Sequence, residues 1–397
     1  LACDWGSLDS LTFSIQLVMR DGRFEHPALP RPLTDVHCAP DGEIVVSDAG
    51  VRVERLRARS GLSEMALSLF REGWADKAPI SAAAQANSIA LDAQLYAALP
   101  RDLRDQWDKY RPEGVVRAEV QGTFDGRQWG LREALLSGED LSFESAEKFP
   151  YRLNNGSGSI RFQAAQAERS AQIDIDLIGF AAQRPIRIVG QVFDPRPEAP
   201  GWVEISGQEI PIESGMIEAM RGKARDVIAS LHPVGKVDLA WRFERGQQGA
   251  APEAKLRLDL KGVSIKYDRF PYPLEDVRGV AEQRNGVWMF SNLQSGGRRE
   301  IRCNGSLQPC AEGSELFLQF AGRGIPLNDD LYYALQPPVQ LAWRKLRPTG
   351  SFDLQTAIRY RTGQGKPSIR ATISPNPDSS ALFPLFFPYR MERLSGD

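Results

Sequence analysis

Histidine is scarce in this sequence: His26, His37 and His232 are the only three in 397 residues. Zinc centres and imidazole-based proton transfer need such residues in groups. His37-Cys38 has no second ligand pair at zinc spacing, so neither a metal site nor a histidine catalyst is expected. Cysteine is equally sparse. Cys3, Cys38, Cys303 and Cys310 are too few and too irregular for a disulfide framework, although a Cys303–Cys310 bond is compatible with the sequence in an oxidising compartment. Excess charge of either sign is missing too: 49 basic against 51 acidic residues give a net charge of −2. That balance removes the electrostatic drive toward nucleic acid or anionic membrane surfaces. No apolar run approaches the ~18 residues of a spanning helix. The longest, Ala381-Leu382-Phe383-Pro384-Leu385-Phe386-Phe387, is broken by proline, and no signal peptide is visible.

Catalytic motifs are absent as well. There is no Gly-x-Ser-x-Gly elbow. Asn155-Gly156-Ser157-Gly158-Ser159 lacks the lysine and the following helix of a phosphate loop, and reads as a turn. The acidic pairs Glu139-Asp140 and Asp329-Asp330 read as residues of turns and helix starts, where carboxylates cap free N–H groups. No catalytic residue and no cofactor is expected, and the chain does not read as an enzyme.

What the sequence does contain is a repeat. Leu29-Pro30-Arg31-Pro32-Leu33, Phe149-Pro150-Tyr151-Arg152-Leu153, Phe270-Pro271-Tyr272-Pro273-Leu274 and Phe387-Pro388-Tyr389-Arg390-Met391 are variants of one phrase. Their first prolines, at 30, 150, 271 and 388, stand 120, 121 and 117 residues apart. Gly158, Gly279 and Gly396 follow the last three at a constant offset. A second landmark keeps the same period: Arg111-Pro112-Glu113-Gly114, His232-Pro233-Val234-Gly235 and Arg347-Pro348-Thr349-Gly350 each turn into an alternating run. The organisation expected is 30–149, 150–269 and 270–386 as three repeats, with 1–29 ending an earlier one and 387–397 opening a fourth. The chain is therefore expected to be a piece of a longer repeat protein. His232, in the slot of Arg111 and Arg347, reads as an interchangeable turn residue.

Upstream of each Pro-Gly turn lies a helical stripe. Leu95, Leu99, Leu103, Trp107 and Tyr110 share the offsets 0, 4, 8, 12 and 15 with Met216, Met220, Ala224, Ile228 and Leu231, and with Leu331, Leu335, Val339, Trp343 and Leu346. One amphipathic helix per repeat is expected, broken or starting late at Pro100 and Pro337.

The remainder alternates with period two, as half-wet antiparallel sheet does. The apolar rows are Ile173, Ile175 and Leu177; Val237, Leu239 and Trp241; Leu256, Leu258 and Leu260; and Leu316, Leu318 and Phe320. Gly262 marks a phase change, after which Val263, Ile265 and Tyr267 resume one step out, which predicts a bulge. The expected fold is mainly β, a long antiparallel sheet of ~120-residue units whose apolar face must close into a barrel, pack against something or curl into a gutter. The recurring Phe-Pro-Tyr suits a strand start, its aromatics covering the junction between adjacent units or gripping a ligand. Any one apolar residue could equally pack against the helix or a facing sheet.

The returning Phe-Pro-Tyr-x-Leu…Gly, Leu-Tyr-x-Ala-Leu and Pro-x-Gly-x-Val-Asp-Leu phrases, spread over almost the whole chain, resemble those of the AsmA-like/TamB family, relatives of the bridge-like lipid transfer proteins. The resemblance implies a long curved β-sheet forming a gutter or taco-shaped hydrophobic groove that binds or conducts phospholipid or another acyl-chain lipid. It further implies a periplasmic location, an inner-membrane anchor in a segment outside this sequence, and support of outer-membrane biogenesis with an outer-membrane or envelope partner protein. The twelve residues of the apolar rows are the candidate groove lining. The alternative is a structural repeat scaffold or adhesin-like stalk whose apolar face is wholly self-packed.

Overall fold

The computed structural model describes the chain except for residues 1, 4–12, 16–21, 26–30, 39–41, 48, 146–148, 221, 297–299, 312, 364–365, 388 and 397; the side chains of 2–3, 13–15, 149 and 222–224 are likewise left aside. Leu11, Thr12, Leu29, Pro30 and Pro388, and the side chains of Phe149 and Ala224, therefore lie outside the described residues. The protein is mainly β, 63% strand and 13% helix, in long antiparallel sheet. It forms two compact units: residues 1–181 with 185–203 and 244–251, and residues 182–184 with 204–243 and 252–397.

The first unit contains β1 (Ala2–Cys3), β2 (Phe13–Ile15), β3 (Gly22–Phe24), β4 (Leu33–His37), β5 (Glu43–Ser47), β6 (Gly50–Ser60), β7 (Ser63–Glu72) and β8 (Ile80–Ala90). Next come α1 (Ala93–Ala98), α2 (Arg101–Tyr110), β9 (Glu113–Phe124), β10 (Trp129–Ser145), β11 (Phe149–Gln163) and β12 (Gln172–Ala181). From β5 to β12 every successive pair is antiparallel; β2 joins β5, and β4 adds to β6. β13 (Arg184–Phe193) and β14 (Gly201–Pro211) follow, then α3 (Ser214–Ala219), α4 (Gly222–Ser230) and β15 (Val234–Arg245). The second unit continues with β16 (Glu253–Tyr267), β17 (Phe270–Arg284), β18 (Val287–Gln294), β19 (Glu300–Cys310) and β20 (Gly313–Pro326). It ends with α5 (Asp329–Ala334), α6 (Pro337–Leu346), β21 (Ser351–Arg361), β22 (Ser368–Pro375), β23 (Ala381–Leu382) and β24 (Met391–Glu392). β16 to β22 form a meander, each strand antiparallel to the next. Among the described residues β16 and β22 do not pair, so this meander does not close into a barrel.

The helical segment is a pair of short helices at all three places: the breaks expected at Pro100 and Pro337 are there, and the second copy, expected to be one helix, is broken as well. Leu99, Met220 and Leu335 are extended, with ψ of 145°, 152° and 152°, and end α1, α3 and α5. The reason is visible in two copies of the Leu-Tyr-x-Ala-Leu phrase. Tyr96 meets Trp107 edge-on at 5.9 Å, and Tyr332 meets Trp343 at 6.0 Å. Residues eleven apart in one straight helix share a face but stand ~16 Å apart along the axis. Only a break lets the second helix fold back and clasp the first. Tyr96 strengthens the clasp by donating its hydroxyl to Asp108, whose carboxylate raises the phenol pKa above its ordinary value.

The Pro-Gly landmark holds a common geometry. Arg111, His232 and Arg347, with φ of 42°, 43° and 45°, all stand in the left-handed region at the end of the second helix. His232 is thus a turn residue, as its slot implies.

At Gly262 the φ is +76°, and the pairing with β17 shifts between Lys261 and Val263. The bulge returns Val263, which is 1% exposed opposite Val277, to the face of Leu256, Leu258 and Leu260. Asn155–Ser159 is a correction: it is not a turn but the middle of β11, where Asn155 at φ 50° and a register shift make another bulge. Its Gly158 opposes Leu177, and a Cβ there would fall 2.2 Å from the Asp176 carbonyl oxygen, so glycine serves close packing. Glu139-Asp140 lies inside β10 rather than at a turn, and the cap of α5 is Asn328, with Asp329 and Asp330 in the first turn. Cys303 and Cys310 are both free. They lie on one regularly paired strand, seven residues and therefore about 23 Å apart, far beyond disulfide reach.

Candidate functional site

Strand register decides which side chains share a face, because residues directly opposite in an antiparallel pair point the same way. In the second unit one such row is Leu258–Ala281–Phe290–Gly305–Leu318–Ile358–Ile369, crossing β16 to β22 without interruption. A parallel row is Leu256–Gln283–Trp288–Leu307–Leu316–Tyr360, in which Trp288 stacks on Phe290 at 6.3 Å. Phe320, opposite Cys303 and Thr356, lies on the same side. Here Cys303 acts as an apolar filler: burial pushes its thiol up to about 12.

Across the sheet the other face is polar. Arg257–Glu282–Met289–Ser306–Phe317–Arg359–Ser368 is the matching row. Arg257 bridges Asp259 at 2.8 Å and Glu282 at 2.5 Å, and Arg361 reaches Glu315 at 3.3 Å. Phe317, apolar like Met289 on this face, lies under the Arg359 guanidinium at 5.1 Å. A depression of about 420 Å³ on this side, lined by Glu282, Arg284, Asn285, Val287 and Met289, gathers no nucleophile with a base. Among the described residues no three His, Cys, Asp or Glu side chains converge as metal ligands, and no helix is long and apolar enough to cross a membrane.

The first unit follows the same rule. Met65–Ala86–Ala118–Leu136–Ile160–Ile175 and Leu67–Ala84–Val120–Ala134–Phe162–Ile173 are apolar rows from β7 to β12, and Leu177 continues them opposite Gly158. The opposing face carries Arg117, paired with Glu119 at 2.8 Å, and Arg161, near Glu133 at 3.6 Å.

All twelve expected groove residues are half-buried. Nine are placed by register: Ile173, Ile175 and Leu177 in the first unit, and Leu256, Leu258, Leu260, Leu316, Leu318 and Phe320 in the second. Val237, Leu239 and Trp241 share one side of β15, and the intervening Asp238 meets Lys261 of the polar face at 3.0 Å. Alternation then puts those three on the apolar side. Trp288, Phe290, Ile358, Ile369 and Leu136 went unread. In Val287-Trp288-Met289-Phe290 every residue is apolar, so alternation gives no signal there.

At one end the second unit's apolar face is covered by α5 and α6. Tyr272, Ile325, Leu331, Ala334 and Phe352 form a buried cluster there, joined by Leu274, Ile301, Leu327, Leu335, Trp343 and Leu354. Toward β22 the same face stands open: Ile369 is 60% and Ile373 52% exposed. In the first unit Leu136 is 43% exposed at the centre of its row.

Aspartates in the Pro-x-Gly phrase do structural work the sequence did not reveal. Asp238 accepts the Glu209 N–H and Asp353 the Gly324 N–H, both at 2.8 Å; each donor sits at positive φ, Gly324 in a bulge of β20. The Glu209 N–H, and after it the Lys261 ammonium, hold the Asp238 carboxyl below its ordinary pKa. A depressed folded pKa gives stability that is present above the unfolded value of about 3.9 and is lost as pH falls through the folded one. Asp238→Asn is therefore expected to cost on the order of 1 kcal/mol at pH 7 in urea unfolding, with the gap to wild type closing at acid pH. A gap that persists unchanged at pH 3 would contradict this origin.

No family model, no curated protein and no solved structure matches this chain.

Proposed function

We propose that the protein is a non-enzymatic lipid-binding or lipid-conducting component of the cell envelope, of the AsmA-like kind. In this reading its sheet is built from ~120-residue repeats and curls into a groove whose apolar side holds the acyl chains of a phospholipid. It works in the periplasm, anchored to the inner membrane through a segment outside this sequence, and serves outer-membrane biogenesis with an envelope partner.

The observation that carries the reading is the unbroken apolar row of β16 to β22 beside an ion-paired opposite face. Seven strands at ~4.8 Å spacing and about three residue pairs along each give a greasy area on the order of 500 Å², at the upper end of what monomers show to water. Acyl chains gain ~0.8 kcal/mol per methylene removed from water, so such a surface is a favourable resting place for them. A scaffold with a self-packed face accounts for the end under α5 and α6, but not for the exposure of Ile369 and Ile373.

Purified protein is expected to carry phospholipid, seen by mass spectrometry of an organic extract, and after delipidation to take it up again from vesicles. Protein that is lipid-free as isolated and takes up none would overturn the reading.

A further inference from the structure

The densest group of exposed apolar side chains lies outside both sets of rows. Phe383, Leu385, Phe386, Phe387, Tyr389 and Met391 are all exposed, Phe386 at 83% and Tyr389 at 68%. This segment contains a copy of the Phe-Pro-Tyr phrase, and two of the other copies show what that phrase meets. Tyr272, in the same slot as Tyr389, is 5% exposed because Leu331 and Ala334 of α5 pack on it. Arg31, in the equivalent slot of the earliest copy, is ion-paired with Asp92 and bonded to Gln94 at 2.5 Å, at the start of α1. In both cases a short helix pair sits on the residue after the motif proline. Measured to the equivalent positions Leu331 and Leu95, the separations along the chain from Tyr272 and Arg31 are 59 and 64 residues.

The frame is reproduced at the exposed copy. Ahead of Phe270, the N–H groups of Lys266 and Asp268 donate to the carbonyls of Leu231 and Ser230 at the end of α4, at 2.9 and 3.0 Å. Ahead of Phe387, Phe383 and Leu385 donate to Leu346 and Lys345 at the end of α6, at 3.0 and 2.8 Å. In each case the first donor precedes the motif phenylalanine by four residues. The aromatic pair also recurs, Phe387 and Tyr389 at 5.2 Å against Phe270 and Tyr272 at 6.0 Å. Among the described residues the arrangement at this copy lacks the helix pair, and also the long strands whose Ile325 and Phe352 join the cluster on Tyr272.

We infer that the 383–391 patch is the docking site of an amphipathic helix pair of the α5–α6 type, whose leucine and alanine side chains cover Phe386 and Tyr389 as Leu331 and Ala334 cover Tyr272. This inference rests on the repeat reading but not on lipid binding, because it concerns a different surface and needs no acyl ligand. The partner's chemistry is set by the model pair: an Asn or Asp cap, a Leu-Tyr-x-Ala-Leu first helix and a tryptophan that clasps the tyrosine.

The test places a photoreactive benzoylphenylalanine at position 386 of the full chain and offers three targets separately. They are a peptide of residues 327–350, phosphatidylcholine–phosphatidylglycerol vesicles, and further copies of the chain. Short helices are weak in isolation, so the peptide is also appended to the chain through a Gly-Ser linker of about 20 residues, with an r.m.s. reach of about 25 Å. Cross-links are expected to map to the peptide's Leu331 side, and to fall at least tenfold when that peptide carries Leu331→Asp or the chain carries Tyr389→Asp. Capture of vesicle lipid or of a second copy in place of the peptide, or no capture even of the tethered peptide, would overturn the inference.

Discussion

Replacing Leu258 with aspartate is expected to abolish lipid loading of the second unit while leaving its sheet folded. Leu258 is half-buried at the head of the row that runs through Ala281, Phe290, Gly305 and Leu318. A carboxylate there keeps its water, so an acyl chain laid along the row loses contact with about three or four methylenes' worth of surface. At ~0.8 kcal/mol each this is about 3 kcal/mol, or roughly 100-fold in affinity. The sheet itself loses much less, since its ladder with β17 is backbone and the neighbouring polar face is untouched. Gln319→Asp, on the exposed polar side of β20, is the matched control and is expected to load normally. Lipid phosphate per protein and circular dichroism read the two effects separately. If Leu258→Asp unfolds the chain, that residue belongs to a packed interior and the face is not a binding surface.

The second large effect concerns stability. Ile325 is 2% exposed, opposite Phe352, and sits under α5 with Tyr272 and Leu331. Gly324, at φ +58°, forms the bulge whose register shift turns Ile325 inward. Truncation to alanine leaves a cavity in a cluster with few other anchors, and is expected to cost about 3 kcal/mol in urea unfolding. Helices of 6 and 10 residues have little stability of their own, so α5 and α6 should also become more susceptible to proteolysis. Acyl binding at the distant Leu258 row should survive. A loss below about 0.5 kcal/mol would mean that this cluster does not hold the helix pair.

How far such features could be read in advance depended on whether the signal was local. Alternation in β12, β16 and β20 is local, and it placed Ile173, Leu258 and Leu318 on one kind of face. The bulge at Gly262 showed as a phase change, and the left-handed turn showed because Arg111, His232 and Arg347 replace one another in it. The helix break did not show in the second copy, where no proline marks it and where neither tyrosine nor tryptophan is present to make the contact that clasps the other two pairs. Asn155–Ser159 was misread because glycine and asparagine serve bulges as well as turns, and only pairing with β10 and β12 distinguishes the two. The continuity of the apolar rows is a property of register between strands, which no single segment encodes. Nor does a segment tell that Asp238 and Asp353 reach across to N–H groups at positive φ 29 residues earlier.

The most direct test of the proposed lipid-binding face uses its period of two. A photoreactive side chain placed in turn at positions 315 to 320 of β20 samples both faces within one strand. With bound phospholipid, cross-links are predicted at Leu316, Leu318 and Phe320, and not at Glu315, Phe317 or Gln319. Lipid captured equally at all six positions, or at none, would contradict the account.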